Sequence, residues 1–252
     1  MFAEKKNLKK LKSEFKKKGF VKIKNAINEK IINKILEEIN SAEKTDIYYD
    51  KKNQIRRIER IYNKGLFLKK VNFVFISILR KILNKDFLIF KDKFNAKPPG
   101  GEGFYAHYDG VFKFLDKNRI TKNGWYNYGS YFINVLLALD KTDKKNGGLE
   151  IAKADKGNFK NLYKNTTKDG TPNILPNVEK RKKFTLIELE KGDLVIFSNT
   201  CAHRSKKNSS KLHRRSLYYT YSLKKNGSKY KSYFFDKKMS KNENSKSLSG
   251  EI

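Results

Sequence analysis

The sequence predicts a mainly-β chain, a double-sheet jelly roll with N-terminal helices packed on one sheet. Two observations carry this. Segments with helical periodicity stand in the first third of the chain. From Phe87 onward the pattern turns to short apolar or alternating runs of strand length, set off by turn residues. Many strands at short spacing after a few helices suggest one all-β core with helical cover.

In chain order, residues 3–18 are Lys-rich with Leu8, Leu11 and Phe15 near helical spacing, a short surface helix. Gly19 to Lys24 alternates apolar and polar, a strand pattern. Asn28 can cap a helix whose apolar face is Ile31, Ile32, Ile35, Leu36 and Ile39. Residues 42–66 read as polar and irregular. A further helix is expected over 68–84, with Val71, Phe75, Ile78, Leu79 and Ile82 on one face. Phe87–Lys97 reads as a strand stopped by Pro98-Pro99-Gly100-Gly101. Phe104–Gly110 is short and extended, and Tyr131–Asp140 suits a buried strand. Leu149–Lys153 follows the turn Lys145 to Gly148, and 155–181 reads as a long loop. Phe184–Glu190, Leu194–Ser198 and Arg214–Leu223 complete the strands. The domain is expected to span 1–235, with a basic polar tail over 236–252, mobile in solution.

Composition narrows the function classes. The chain has 252 residues, 38% of them hydrophobic, enough for one sizeable core. No run approaches the roughly 18 apolar residues of a membrane span, and the N-terminus lacks a secretory h-region. The expected location is the cytoplasm. The one cysteine, Cys201, allows no internal disulfide and no cysteine-rich metal site, and it reads as a small buried hydrophobe. The net charge of +32 could steer an anionic substrate or bind a polyanion. The excess is mostly Lys and spread along the chain, without the Arg and aromatic clustering of nucleic-acid binders, so compositional bias accounts for it better.

There are three histidines: His107, His203 and His213. His107-Tyr108-Asp109 places an imidazole and a carboxylate two positions apart, on one face of a strand. His203 follows the apolar run Leu194–Phe197. Two imidazoles and one carboxylate, with coordination positions left open for a 2-oxo acid and O2, are the facial triad of non-haem Fe(II) oxygenases.

The surrounding segments resemble the phytanoyl-CoA dioxygenase family. The distal segment carries Gly192-Asp193, Leu194–Phe197, His203, Ser205, Asn208 and Arg214. The proximal segment carries Lys97-Pro98-Pro99-Gly100 and His107-x-Asp109-Gly110. Leu139-Asp140 through Asn146-Gly147-Gly148-Leu149-Glu150 is similar to a third segment, and Phe15–Ile27 to the family's opening helix and strand. The resemblance covers roughly residues 12–223. It implies a cupin-like double-stranded β-helix with Fe(II) held by His107, Asp109 and His203 at its open end. It implies a 2-oxoglutarate cosubstrate whose distal carboxylate is bound by Arg214, a guanidinium fork that matches a carboxylate, with Ser205 adding a hydroxyl.

Other residues are candidates for the same pocket. Strand alternation separates Arg214, Ser216 and Tyr218 from Arg215 and Leu217, so Arg215 is expected to be a solvated charge and His213 a surface residue. Tyr108, where the family often has Gln, could line the cosubstrate pocket. Lys93, Asn95 and Lys97 alternate on their strand and could reach cosubstrate or substrate, or form a solvated face. Asn134 interrupts an apolar strand, either to point into the pocket or to satisfy backbone groups. Trp125 and Tyr126 are a substrate wall or plain packing.

The implied activity is hydroxylation of a C–H bond in a small molecule, with 2-oxoglutarate converted to succinate and CO2 by O2. Asp109 argues against halogenation, since related halogenases carry a small residue there. The positive field favours small anions such as amino acids, phosphonates or acyl thioesters. One departure sets the substrate open: after Leu149-Glu150 the chain reads Ile151 to Gly157 in place of the family's Gly-Ser-His stretch. Two rival readings are a basic nucleic-acid or polyanion-binding jelly-roll module with a vestigial metal site, and a hydrolase using zinc or another metal on the same ligands.

Overall fold

The computed structural model describes residues 5–43, 46–116 and 118–243. Helix α1 (Lys5–Lys18) leads into strand β1 (Phe20–Ile23) through Gly19. Its φ of +79° and a Cβ that would lie 2.3 Å from Ala154 Cβ demand glycine there. Helix α2 (Glu29–Ser41) is capped by Asn28, whose Oδ1 accepts from the Ile31 amide at 3.0 Å. A hairpin of β2 (Asp46–Tyr49) and β3 (Ile55–Glu59) precedes α3 (Leu66–Leu83) and β4 (Phe87–Lys97). Then come β5 (Phe104–His107), a ribbon of β6 (Phe114–Leu115) and β7 (Thr121–Lys122), β8 (Phe132–Ala138) and β9 (Leu149–Ala154). Two short helices, α4 (Phe159–Tyr163) and α5 (Pro176–Lys180), lead to β10 (Thr185–Ile187), β11 (Leu194–Ser198), β12 (Cys201–Ser205), β13 (Arg214–Leu223) and α6 (Tyr230–Glu243).

The strands make the jelly roll that the sequence predicts. One antiparallel sheet has the order β1-β11-β8-β13-β4-β3-β2, the other β10-β9-β12-β5. Period-two alternation sorts the larger sheet's side chains. Leu217, Tyr219 and Tyr221 of β13, with Ile133, Val135 and Leu137 of β8, enter one core with Ile32 and Ile35 of α2 and Phe75 and Leu79 of α3. Helical cover on one sheet follows from this, each buried aliphatic or aromatic side chain contributing about 1.5–3 kcal/mol. The opposite face of the same strands carries Asn134, Arg214, Ser216, Tyr218 and Thr220 toward the smaller sheet.

Three motif residues act in folding. Gly192 (φ +90°) turns where a Cβ would meet Ile27 O at 2.1 Å. The Asp193 carboxylate accepts from the Asn25 and Glu190 amides and pairs with Lys22 at 2.9 Å, tying β1 to the start of β11. Asn208, fully buried, donates to Lys97 O, Pro98 O and Leu212 O and accepts from Ser210, clamping the Pro98-Pro99 turn to the loop after β12. Asn208→Ala should lower stability by about 1–3 kcal/mol for the carbonyls left unsatisfied, read as a lower urea midpoint. An unchanged midpoint would remove the clamp from the account.

Four expectations need correction. Residues 42–66 hold the β2–β3 hairpin, whose pairing with β4 supplies order that the charged run Ile55-Arg56-Arg57-Ile58-Glu59 does not advertise. Residues 155–181 contain α4 and α5. Cys201–Ser205 is a strand, read in sequence only as a motif. The expected tail boundary at 235–236 falls inside α6, whose Tyr233 and Phe234 pack with Phe90, Trp125 and Tyr128. Residues 3–4 of the first expected helix and 244–252 of the tail lie outside the described residues. Among the described residues no helix is long and apolar enough to cross a membrane.

Candidate active site

The smaller sheet brings the two histidines together. Strands β5 and β12 pair antiparallel with His203 directly opposite His107, and the imidazole centroids are 4.2 Å apart. Asp109 lies just past the end of β5, in a turn made by Gly110 (φ +77°), rather than on the strand itself. A Cβ on Gly110 would sit 2.4 Å from Trp125 Cγ, so the indole, otherwise core packing against Phe90, fixes the tightness of this turn. The carboxylate turns back on both rings: Oδ1 is 3.9 Å from His107 Nε2 and Oδ2 is 3.6 Å from His203 Nε2. One ligand atom from each residue lies within 4.8 Å of the others.

The rings are set up as neutral ligands. His107 Nδ1 donates to Tyr105 O at 2.7 Å and His203 Nδ1 to Cys201 O at 3.0 Å. A carbonyl accepts only, so each Nδ1 carries the hydrogen and each Nε2 presents its lone pair. Burial, with His203 alongside, pushes the His107 imidazole down to about 3, and burial also lowers His203. Burial alone would raise the Asp109 carboxyl, but His203, Lys93 and His107 together hold it below its ordinary value. Two unprotonated nitrogens and an ionised carboxylate converging on one point fit a divalent cation such as Fe(II).

Asn134 holds the carboxylate. Its Nδ2 donates to Asp109 Oδ2 at 2.8 Å, and Thr220 Oγ1 donates to its Oδ1 at 2.7 Å, which fixes the amide's orientation. The interruption of the apolar strand β8 thus serves the Asp109 carboxylate. Asn199, unmarked by any sequence signal, donates to Asp109 O and to the Tyr126 hydroxyl. Asn134→Ala should weaken Fe(II) binding by roughly 10–100-fold, measured by anaerobic metal titration. Wild-type metal affinity would refute the supporting role.

Beside the ligands a cavity is lined by Phe104, His107 and His203 on one side and by Lys93, Asn95, Arg214 and Tyr218 of the larger sheet on the other. Arg214 is 4% exposed. Its Nε is buried without a hydrogen-bond partner, and among the described residues no carboxylate pairs with it. Tyr218 is its hydrogen-bond neighbour, but a buried guanidinium without a counter-charge is costly unless a ligand completes it, and the missing anion fits a cosubstrate such as 2-oxoglutarate. Ser205 also lines the cavity. Lys93 reaches it too, with its ammonium 4.8 Å from the Tyr218 ring centre, and burial, then Arg57 and Lys91, lowers it to about 7.

The remaining candidates lie elsewhere. Lys97 is buried, and its ammonium donates to Ser205 Oγ (2.8 Å), Gly147 O (3.3 Å) and Lys206 O. It therefore braces the wall that carries Ser205. Tyr108 faces away from the cavity, fully buried, with its hydroxyl donating to Asp155, which Lys182 also pairs. This contact occupies the stretch Ile151 to Gly157, where the sequence departs from the family pattern. Arg215 is not a solvated charge: it forms a bidentate pair with Asp140, both contacts at 2.8 Å. His213 is exposed and Cys201 is buried, as expected.

Comparison with known proteins agrees with this geometry. The model of the phytanoyl-CoA dioxygenase family matches residues 15–216. The 2-aminoethylphosphonate dioxygenase of uncultured bacterium HF130_AEPn_1 is 25% identical, covering 90% of this chain and 86% of that protein. The methylphosphonate hydroxylase of Gimesia maris is 26% identical, covering 63% and 54%. EctD from S. alaskensis, solved with 2-oxoglutarate and 5-hydroxyectoine, shares the fold at a TM-score of 0.66 and 14% identity, covering 89% and 77%. With a family model spanning most of its length and the His-Asp-His cluster in place, this chain belongs to the phytanoyl-CoA dioxygenase family, the non-haem iron dioxygenases that use 2-oxoglutarate and O2.

Proposed function

We propose that this dioxygenase hydroxylates a C–H bond of a small anionic molecule, an organophosphonate by class, with 2-oxoglutarate converted to succinate and CO2. His107, Asp109 and His203 would hold Fe(II), and Arg214 with Ser205 would receive the distal carboxylate of 2-oxoglutarate. Bound together, the metal and cosubstrate supply the oxidising power, with O2 the oxidant.

The chain's own residues orient and shield. The Nδ1 hydrogens of His107 and His203 stay on backbone carbonyls, so both Nε2 atoms remain unprotonated ligands. Asn134 and Thr220 hold the Asp109 carboxylate at a set angle, the placement of a few tenths of an ångström on which such chemistry depends. Phe104, Leu149 and Tyr218 line the cavity with mostly apolar surface that limits water.

One observation supports the reading most: a buried guanidinium, without an anion among the described residues, faces the same cavity as His107 and His203, the two imidazoles on which the Asp109 carboxylate converges. The phosphonate class is supported by the two phosphonate-acting relatives. The test is succinate formation by the Fe(II)-loaded protein with 2-oxoglutarate and a panel including 2-aminoethylphosphonate and methylphosphonate. Succinate above the substrate-free background, matched by hydroxylated product, is expected. No iron-dependent succinate at all would refute the reading.

A further inference from the structure

Two cations of the cavity wall have no anionic partner among the described residues. Three of its cations are Lys93, Arg204 and Arg214. Arg204 is already paired, with Glu150 at 2.8 Å and Glu179 at 2.6 Å. Arg214 and Lys93 are not: among the described residues neither has an ion-pair partner, and the Lys93 ammonium rests over the Tyr218 ring. The two carboxylates near Lys93 are committed elsewhere. Asp109 faces both imidazoles and Asn134. Glu59 pairs with Lys91 at 3.5 Å, Arg57 at 3.8 Å and Lys237.

2-Oxoglutarate carries two carboxylates. On the functional reading above, one lies at the metal and the other at Arg214. Neither is left for Lys93. The two cations start from different points on the sheet: Lys97, not Lys93, is opposite Arg214, and Lys93 is opposite Tyr218, so their backbones are offset by four residues, roughly 13 Å, although both side chains reach Tyr218. Lys93 is therefore a second anion-recognising point in the same cavity. A lysine ammonium suits a multi-oxygen anion as a point charge, without the planar fork that favours carboxylate.

We propose that Lys93 anchors the oxyanion of the substrate, a phosphonate, and thereby sets the enzyme's selectivity for anionic over neutral molecules. This rests on the dioxygenase reading and adds the substrate's binding point to it.

The test is anaerobic calorimetry on the Fe(II)- and 2-oxoglutarate-loaded protein, with methylphosphonate and 2-aminoethylphosphonate as probes. The neutral diester dimethyl methylphosphonate is the control. Wild type should bind at least one acid and not the diester. Lys93→Met should weaken that acid by about 30-fold or more, and Lys93→Arg by much less, since the positive charge remains. The 2-oxoglutarate affinity of the Fe(II)-loaded variants, titrated separately, should stay within about threefold of wild type, which also reports an intact site.

Equal phosphonate binding by wild type and Lys93→Met overturns the proposal. So does a loss of 2-oxoglutarate affinity in place of phosphonate affinity, which would assign Lys93 to the cosubstrate. Equal binding of acid and diester by wild type, or binding of neither, overturns it without any variant. Succinate formation that persists in those cases would leave the dioxygenase reading standing, and its absence would sink both.

Discussion

Asp109→Ala, and separately His203→Ala, should abolish iron-dependent formation of succinate from 2-oxoglutarate. Each removes one of three donors whose ligand atoms lie within 4.8 Å of one another. No other histidine can substitute, because His213 is exposed. Asp109→Ala also strands the Asn134 amide, which donates to the lost carboxylate. The two variants should differ in stability. His203 is a buried cross-strand partner of His107, whereas Asp109 sits in a turn, so His203→Ala should cost more folding free energy. Iron content, succinate yield and the urea midpoint together separate loss of the metal from loss of the fold. Wild-type succinate formation in either folded variant would dismantle the triad.

Arg214→Ala should raise the 2-oxoglutarate concentration needed for half-maximal activity by at least about 30-fold. Removing one partner of a desolvated charge pair typically costs about 2–5 kcal/mol, and each 1.4 kcal/mol is about tenfold. Lysine should rescue only part, because it lacks the fork that meets a carboxylate with two hydrogen bonds. A second effect has the opposite sign. Arg214 is buried without an anion among the described residues, so without cosubstrate Arg214→Met should be at least as stable as wild type. A cosubstrate titration that does not move would assign the role elsewhere. Arg215 is a poor substitute, since it is held on the far side of β13 by Asp140.

The residues most legible in the sequence were those whose role follows from local pattern. Alternation along Arg214–Leu223 separates the cavity face from the core face in β13, as the burial of Leu217, Tyr219 and Tyr221 against the helices bears out. The rarity of histidine, the His107-x-Asp109 spacing and the Gly192-Asp193 turn point to a metal-binding jelly roll. Less legible were elements that exist through pairing. The β2–β3 hairpin and the short strand β12 carry little pattern of their own and are ordered by their neighbours.

Lys97, Tyr108 and Asn134 show what sequence leaves open. Each is a polar residue near the site in sequence, and each could reach a ligand. Tertiary structure gives Lys97 to the wall behind Ser205, Tyr108 to Asp155 on the reverse face, and Asn134 to the Asp109 carboxylate. Local pattern alone was enough for the fold class, the family, the two faces of β13 and the identity of the three residues that converge, because these depend on periodicity and on residue types at short spacing. Which polar groups face the cavity, which brace it, and which cation is left without a partner were decided only by the tertiary structure. Such pairings join residues far apart in the chain, and their partners are chosen by sheet register and packing rather than by local pattern.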